Sequence, residues 1–225
     1  MKMAEIVGRF VQEPEAVALI ESYGLPYPRH GLAHDQQEAA RIAAEVGYPV
    51  VLKVVSPDII HKSEAGGVVS GLASGPEVRQ AYEDLLSRVG EISGKPRVEG
   101  VLVCRQAEEG QEVIVGGLKD DVFGPSLMFG LGGIFTEVMD DVSFRVAPLE
   151  KIDALEMISE IKGYPLLTGV RGQAGCDLDR LVELLLAVSR MMTDRPEILE
   201  LDLNPVRVYR QGLEVLDVRL VVNQA

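Results

Sequence analysis

The chain has no tryptophan, and only 5% of its 225 residues are aromatic. Single-stranded nucleic acid is gripped by aromatic stacking platforms, so no such platform is expected here. Basic residues are also scarce: 22 Lys and Arg stand against 35 Asp and Glu, a formal net charge of −13. Nucleic acids and anionic membranes both need a basic surface, and neither is expected as a partner. The two cysteines, Cys104 and Cys176, form no CxxC pattern and suit buried thiols in a reducing compartment. The stretch MKMAEIVGRF lacks an apolar signal core, and no run is apolar for long enough to span a bilayer, so a cytoplasmic location is expected.

What is there reads as an ordinary globular chain, 47% hydrophobic and 25% charged, with ample core. Helices are expected over 13–24, 35–47, 76–90, 150–163 and 177–192. The second shows its devices best: Asp35 and Glu38 as a capping pair, then Ala39, Ile42, Ala43 and Val46 on one face and Gly47 at the close. YPVVLKVVS (48–56) is apolar on both faces and reads as a central strand. VEGVLVCRQ (98–106) and QEVIVGGLK (111–119) read as strands around the turn AEEG, and the last segment, ELDLNPVRV to LEVLDVRLVV, as a hairpin. Helices and strands mix without strict alternation, which predicts α+β layers and no doubly wound parallel sheet. The best boundary between two lobes lies near KPRVEG (95–100), giving 1–98 and 99–225.

Four polar features interrupt this apolar frame. Lys53 lies inside YPVVLKVVS; it is either an edge-strand charge or a cation facing an anion in a cleft. PDIIHKSEAGGVVSG (57–71) carries His61 beside Lys62 and then a glycine pair, the residue types of a phosphate-handling loop. Asp202 and Asn204 share a strand face, and Asp217 falls roughly opposite Asn204 across the hairpin turn. Carboxylates and an amide oxygen so placed suit Mg²⁺, or else form the polar face of a half-exposed hairpin. Gly130, Gly132 and Gly133, flanked by Glu137 and Arg145, form a glycine string, and Arg171 sits in a GVRG turn; each is either a ligand contact or ordinary turn chemistry. Lysine, glycine loop, arginine and cation cluster together are the parts of a phosphoryl-transfer site. No P-loop or kinase motif accompanies them.

In GYPVVLKVVSPDIIHKSEAGGV, FGPSLMFGLGGIFTEVMDDVSFRVAPL, GVRG and ELDLNPVRV with LEVLDVRL, the chain resembles the ATP-grasp β subunit of ADP-forming acetate–CoA ligases. The resemblance implies an ATP-grasp fold of two lobes with the nucleotide held between them. It further implies an acid–thiol ligase that converts acyl-CoA, ADP and phosphate reversibly into carboxylate, CoA and ATP. Lys53 would hold nucleotide phosphates. Leu102, Val103, Cys104, Arg105 and Gln106 would line the adenine, Glu112 would meet the ribose, and Gly132, Gly133 and Arg145 would close around the phosphates. Asn204 and Asp217, with Asp202 beside them, would hold Mg²⁺. His61 would carry a phosphoryl group to ADP, its ring oriented by Asp58 or Glu64 and its loop freed to swing by Gly66 and Gly67. The CoA site is absent from the sequence, so a CoA-binding α subunit is implied as partner, in an α2β2 assembly. A free-standing carboxylate–amine ligase and a non-catalytic nucleotide-binding regulatory subunit are the competing readings. His30 and His34 fall in no motif and are expected at the surface.

Overall fold

The computed structural model of the chain describes residues 8–133, 141–170 and 174–223. Every ladder among them is antiparallel, in two sheets, as the α+β expectation requires.

The smaller sheet has strands β2 (His30–Ala33), β3 (Val50–Val55), β4 (Val68–Leu72) and β5 (Gly100–Arg105), in the order β2-β5-β3-β4. Helices α2 (Gln36–Val46) and α3 (Gly75–Gly90) pack on one face. Ile42, Ala43, Val78, Leu85 and Val89 there meet Val50, Leu52 and Val54 of β3 and Val101 and Val103 of β5. The Asp35 carboxylate caps α2, accepting from Gln37 N and Glu38 N at 2.8 Å. Glu38 reaches back to His34 N, one residue short of the reciprocal capping box. The φ of +94° at Gly47 favours glycine at this helix end.

The larger sheet has seven strands: β1 (Arg9–Val11), β6 (Gln111–Asp120), β7 (Gly124–Leu131), β8 (Val142–Val146), β9 (Ile198–Val208), β10 (Leu213–Val215) and β11 (Val218–Val222). Its order is β1-β11-β9-β6-β7-β8, with β10 also on β9. Helix α1 (Glu13–Ser22) follows β1. Helices α4 (Lys151–Glu160), α5 (Tyr164–Thr168) and α6 (Leu178–Asp194) lie between β8 and β9 in the chain. α6 buries Leu181, Leu185, Val188 and Met192 at helical spacing, each contributing about 1.5–3 kcal/mol. A Cβ built on Gly117 would come within 2.8 Å of Met192 Sδ, so glycine lets the helix lie close to β6.

The two sheets define two units, and the expected division at 98/99 is corrected. One unit runs from Pro28 to Glu108; the other takes in the described residues up to Tyr27 and those from Glu109 onward. The reason is the partner of β5. Its run GVLVCR is buried at five of its six positions and pairs with β2 on one side and β3 on the other. It does not form a hairpin with β6, which pairs with β7 and β9. AEEG therefore links the units and is no hairpin turn. β1, β2, β8 and α5 were also not anticipated; His30, expected as a surface residue, is half-buried in β2. Among the described residues no helix is long and apolar enough to cross a membrane.

Glu13, at 3% exposure, accepts a hydrogen bond of 2.7 Å from the Tyr27 hydroxyl. Tyr27→Phe withdraws that donor from a buried carboxylate and should lower unfolding stability by about 1–3 kcal/mol. The urea midpoint measures this; an unmoved midpoint would mean other groups satisfy Glu13.

Candidate functional site

Lys53 is not an edge charge. β3 is an inner strand, and Lys53 pairs with Leu102 of β5 and Val68 of β4. Strand alternation turns Val50, Leu52 and Val54 to the helices and sets Lys53, at 9% exposure, on the opposite face. The same parity divides the expected adenine-lining residues. Leu102 and Cys104 share the face of Lys53, whereas Val103 is buried in the helix-side core. The Val103 side chain is thus withdrawn from the expected role. The Gln106 side chain is engaged within its own sheet, where Oε1 accepts from Gly71 N at 2.7 Å. Arg105 is exposed, its backbone N bonded to Arg29 O.

His61 begins a single helical turn. Ala65 N donates to His61 O at 3.1 Å, Gly66 N to Ser63 O at 3.1 Å and Gly67 N to Lys62 O at 2.8 Å. With Gly66 at φ +68°, these last two bonds make the Schellman ending of a helix. The expectation for the glycine pair is corrected accordingly: both N–H groups cap the turn and are not presented to an anion. Gly67 also presses against β3. Its carbonyl accepts from Val54 N at 2.8 Å, and a Cβ there would fall 2.4 Å from Val54 Cγ1. The loop's other end is held by buried Ile59 and by Asp58, whose carboxylate accepts from Arg97 N at 2.7 Å. Asp58 therefore serves the backbone and does not steer the imidazole. The His61 ring is exposed and forms no hydrogen bond or ion pair among the described residues. One turn thus has its C-terminal end fastened next to Lys53 and its histidine in solvent.

In the other unit, the ladder of β9 with β6 breaks step. Val206 pairs with Val113 but Leu203 pairs with Val115, leaving 204–205 as a bulge. Opposite lies the gap between β10 and β11, where Asn204 N donates to Asp217 O at 3.2 Å and Leu216 N to Pro205 O at 2.9 Å. Two matched irregularities thus set Asn204 and Asp217 side by side, the pairing that the hairpin spacing suggests. Bulges commonly re-aim side chains in this way. Asp202 stands further along, opposite Arg219; burial pushes its carboxyl pKa up, against the pull of Arg219. Among the described residues no three His, Cys, Asp or Glu gather as a metal cluster. An exposed amide and a half-buried carboxylate still fit Mg²⁺, which takes one or two protein carboxylates and fills its shell with phosphate and water oxygens.

Glu112 is paired across the ladder with Arg207, a partner that the sequence reading missed. Gly132 donates to Glu112 O at 2.8 Å, and a Cβ there would lie 2.9 Å from Glu112 Cβ; close packing on β6 requires glycine. Gly133 has φ +71°. Arg145 departs from expectation. It pairs with Leu127, five residues or roughly 16 Å of strand from Gly132. Its guanidinium is bound by Glu160 and Glu156 of α4, which push its pKa further up, Glu160 the more strongly. The described structure does not bring it to the glycines. Glu137 and Arg171 lie outside the described residues.

The model of the ATP-grasp domain matches residues 5–222. The chain is 42% identical to the β subunit of acetate–CoA ligase [ADP-forming] I of Pyrococcus furiosus, over 99% of this chain and 96% of that one. The chain belongs to the ATP-grasp family of the ADP-forming acetate–CoA ligases. In Archaeoglobus fulgidus, acetate–CoA ligase [ADP-forming] I is 45% identical over 99% of this chain, which spans only 32% of that longer polypeptide. Among solved structures, the acetyl-coenzyme A synthetase 1 of Candidatus Korarchaeum cryptofilum is similar in two states. One, with a phosphorylated phosphohistidine segment in a site I orientation, has TM-score 0.89 and 43% identity and covers 96% of this chain and 94% of that one. The other binds CoA and Mg-AMPPCP, its phosphohistidine segment pointing towards the nucleotide-binding site; it has TM-score 0.84 and 42% identity and covers 96% and 93%.

Gly67→Ala would drive its new methyl into Val54. It should cost about 1–3 kcal/mol and speed hydrogen exchange at the Val54 amide, followed by mass spectrometry. Unchanged exchange at Val54 would show that the loop is not held there.

Proposed function

We propose that the chain is the β subunit of an ADP-forming acyl-CoA synthetase, working in the cytoplasm with a CoA-binding α subunit in an α2β2 assembly. It relays a phosphoryl group to ADP through His61. The observation that carries this reading is the exposed His61 ring on a capped turn whose far end is hydrogen-bonded beside Lys53. An imidazole in solvent, with no hydrogen bond or ion pair among the described residues, has its ring nitrogens available to phosphorus. The relative from Korarchaeum, with its phosphohistidine segment seen at two sites, supports the same role here.

The transfer runs in two displacements. A neutral ring nitrogen of His61 attacks the phosphorus of a phosphohistidine on the α subunit; the new P–N bond forms as the old one breaks, its electron pair returning to the donor ring. An oxygen of the ADP β-phosphate then attacks the same phosphorus, and the electron pair of the P–N bond returns to His61. Lys53 offsets charge on the nucleotide phosphates, while Leu102 and Cys104 give its sheet face an apolar wall for the base. Glu112, already oriented by Arg207, accepts from a ribose hydroxyl, and Gly132 and Gly133 let backbone approach the phosphates. Asn204 and Asp217 would hold Mg²⁺, which when bound supplies charge neutralisation at the phosphate oxygens.

Incubation with γ-³²P-ATP and Mg²⁺ should label the chain with an acid-labile, base-stable phosphate that His61→Ala removes. A His61→Ala enzyme that still turns over would favour a carboxylate–amine ligase; nucleotide binding without any label would favour a regulatory subunit. Lys53→Ala should weaken nucleotide binding by about 10- to 100-fold, the loss of one charge-assisted contact. Isothermal titration measures it, and an unaltered Kd would remove Lys53 from the site.

A further inference from the structure

Tyr48 and Ile60 aside, the exposed large hydrophobic side chains among the described residues all belong to the unit of the seven-stranded sheet, on β6, the turn after it, β8 and α4. Leu118 lies near the end of β6, two strands from Val146 through Ser126. Val122 and Phe123 occupy the turn between β6 and β7, Phe144 and Val146 lie on the face of β8 turned away from α4, and Ile152 and Leu155 are on α4. Phe123 is 69% exposed and Phe144 60%. Burying such side chains is strongly favourable, and aromatic groups so placed commonly mark protein–protein contacts.

The strand β8 is itself an unfinished edge. Among the described residues β8 pairs with β7 alone. Edge strands are usually blunted by lysine, proline or an outward charge, but VSFRV contains neither lysine nor proline. Its one charge, Arg145, is held by Glu156 and Glu160 on the helix side. The adjoining turn is preformed: the Asp120 carboxylate accepts from Val122 N at 2.8 Å and Phe123 N at 2.9 Å, so little ordering is needed before Phe123 meets a partner.

Charge selects the occupant. Acidic residues outnumber basic ones around the apolar centre: Asp120 and Asp121 at the turn beside Lys119, and Glu150, Asp153 and Glu156 at α4 beside Lys151 and Arg145. A second copy would set this acidic rim against itself, on chains that each carry a net −13, and like charges so juxtaposed oppose association. A different chain with an apolar surface rimmed by Lys and Arg is complementary. The relatives point to the kind of chain. This domain is 32% of a single polypeptide in Archaeoglobus but nearly all of a separate subunit in Pyrococcus. A β subunit such as that of Pyrococcus meets its partner through a surface.

We propose that the β8 edge, with Phe123 and Phe144 beside it, is the docking surface for the CoA-binding α subunit; this rests on the function proposed above. The test compares wild type with Phe123→Asp/Phe144→Asp, each mixed with the separately produced α subunit in analytical ultracentrifugation. Wild type should form a heteromer, and the double variant should bind at least about 30-fold more weakly, with an unchanged melting temperature and undiminished His61 labelling from ATP. In wild type, β8 amides should exchange more slowly once the α subunit is added. Equal affinity of both forms, or β8 exchange unaffected by α, overturns the proposal. So does a wild-type chain that dimerises alone through this edge, with Phe144→Asp abolishing the dimer. Absent His61 labelling would instead strike the function itself, and the binding comparison would still judge the surface.

Discussion

The hydrogen bond from Val54 N to Gly67 O, 2.8 Å long, is the joint on which the proposed relay depends. Val54 belongs to an inner strand whose position is fixed by a neighbour on each side. Its side chain enters the helix-side core, and the preceding residue, Lys53, faces the other way. Fastening the histidine turn to this residue gives the loop a rigid foot and leaves His61 in solvent. A carrier group needs both: a fixed origin, so that its reach is defined, and a free head, so that it meets two partners in turn.

The second unit reaches a similar division by other means. Leu127, Phe129, Leu201 and Leu203 are buried, and α6 lies against Gly117 on the same side of the sheet. Gly116, Asp202 and Arg219 take the opposite parity, where the Glu112–Arg207 pair also stands. Strand parity likewise explains Arg145. Ser143, two residues earlier, donates to Met157 O in α4 at 2.8 Å, and Arg145 follows it to the helix side.

How much of this was legible depended on whether the information was local. β3 announced itself because both of its faces are apolar, while its pairing on both sides made Lys53 an inner lysine. The Asn204–Asp217 pairing was legible because a short turn fixes the register of a hairpin. The partner of β5 was not. GVLVCR carries the pattern of a buried strand, but nothing in it says which sheet will bury it, and the nearer segment in sequence was the wrong choice. Two of the corrected features do have a local signal. Glycines three and four residues after Ser63 are spaced as a helix ending. Glu156 and Glu160 are one helical turn apart, a ready clamp for an arginine on the neighbouring strand.

The bulge at 204–205 has a consequence for the hairpin as a whole. A regular pair of strands can slip by two residues and still present the same sides, so its alignment is only as firm as its contacts. Here the irregularity in β9 faces the gap between β10 and β11, like a tooth in a notch. Any shift would part them, leaving Leu203 and Val206 out of phase with the hydrophobic layer beneath. Shortening β9 by one residue at this point would straighten the pleat, but it would carry either the Asn204 amide or its apolar neighbours to the wrong side.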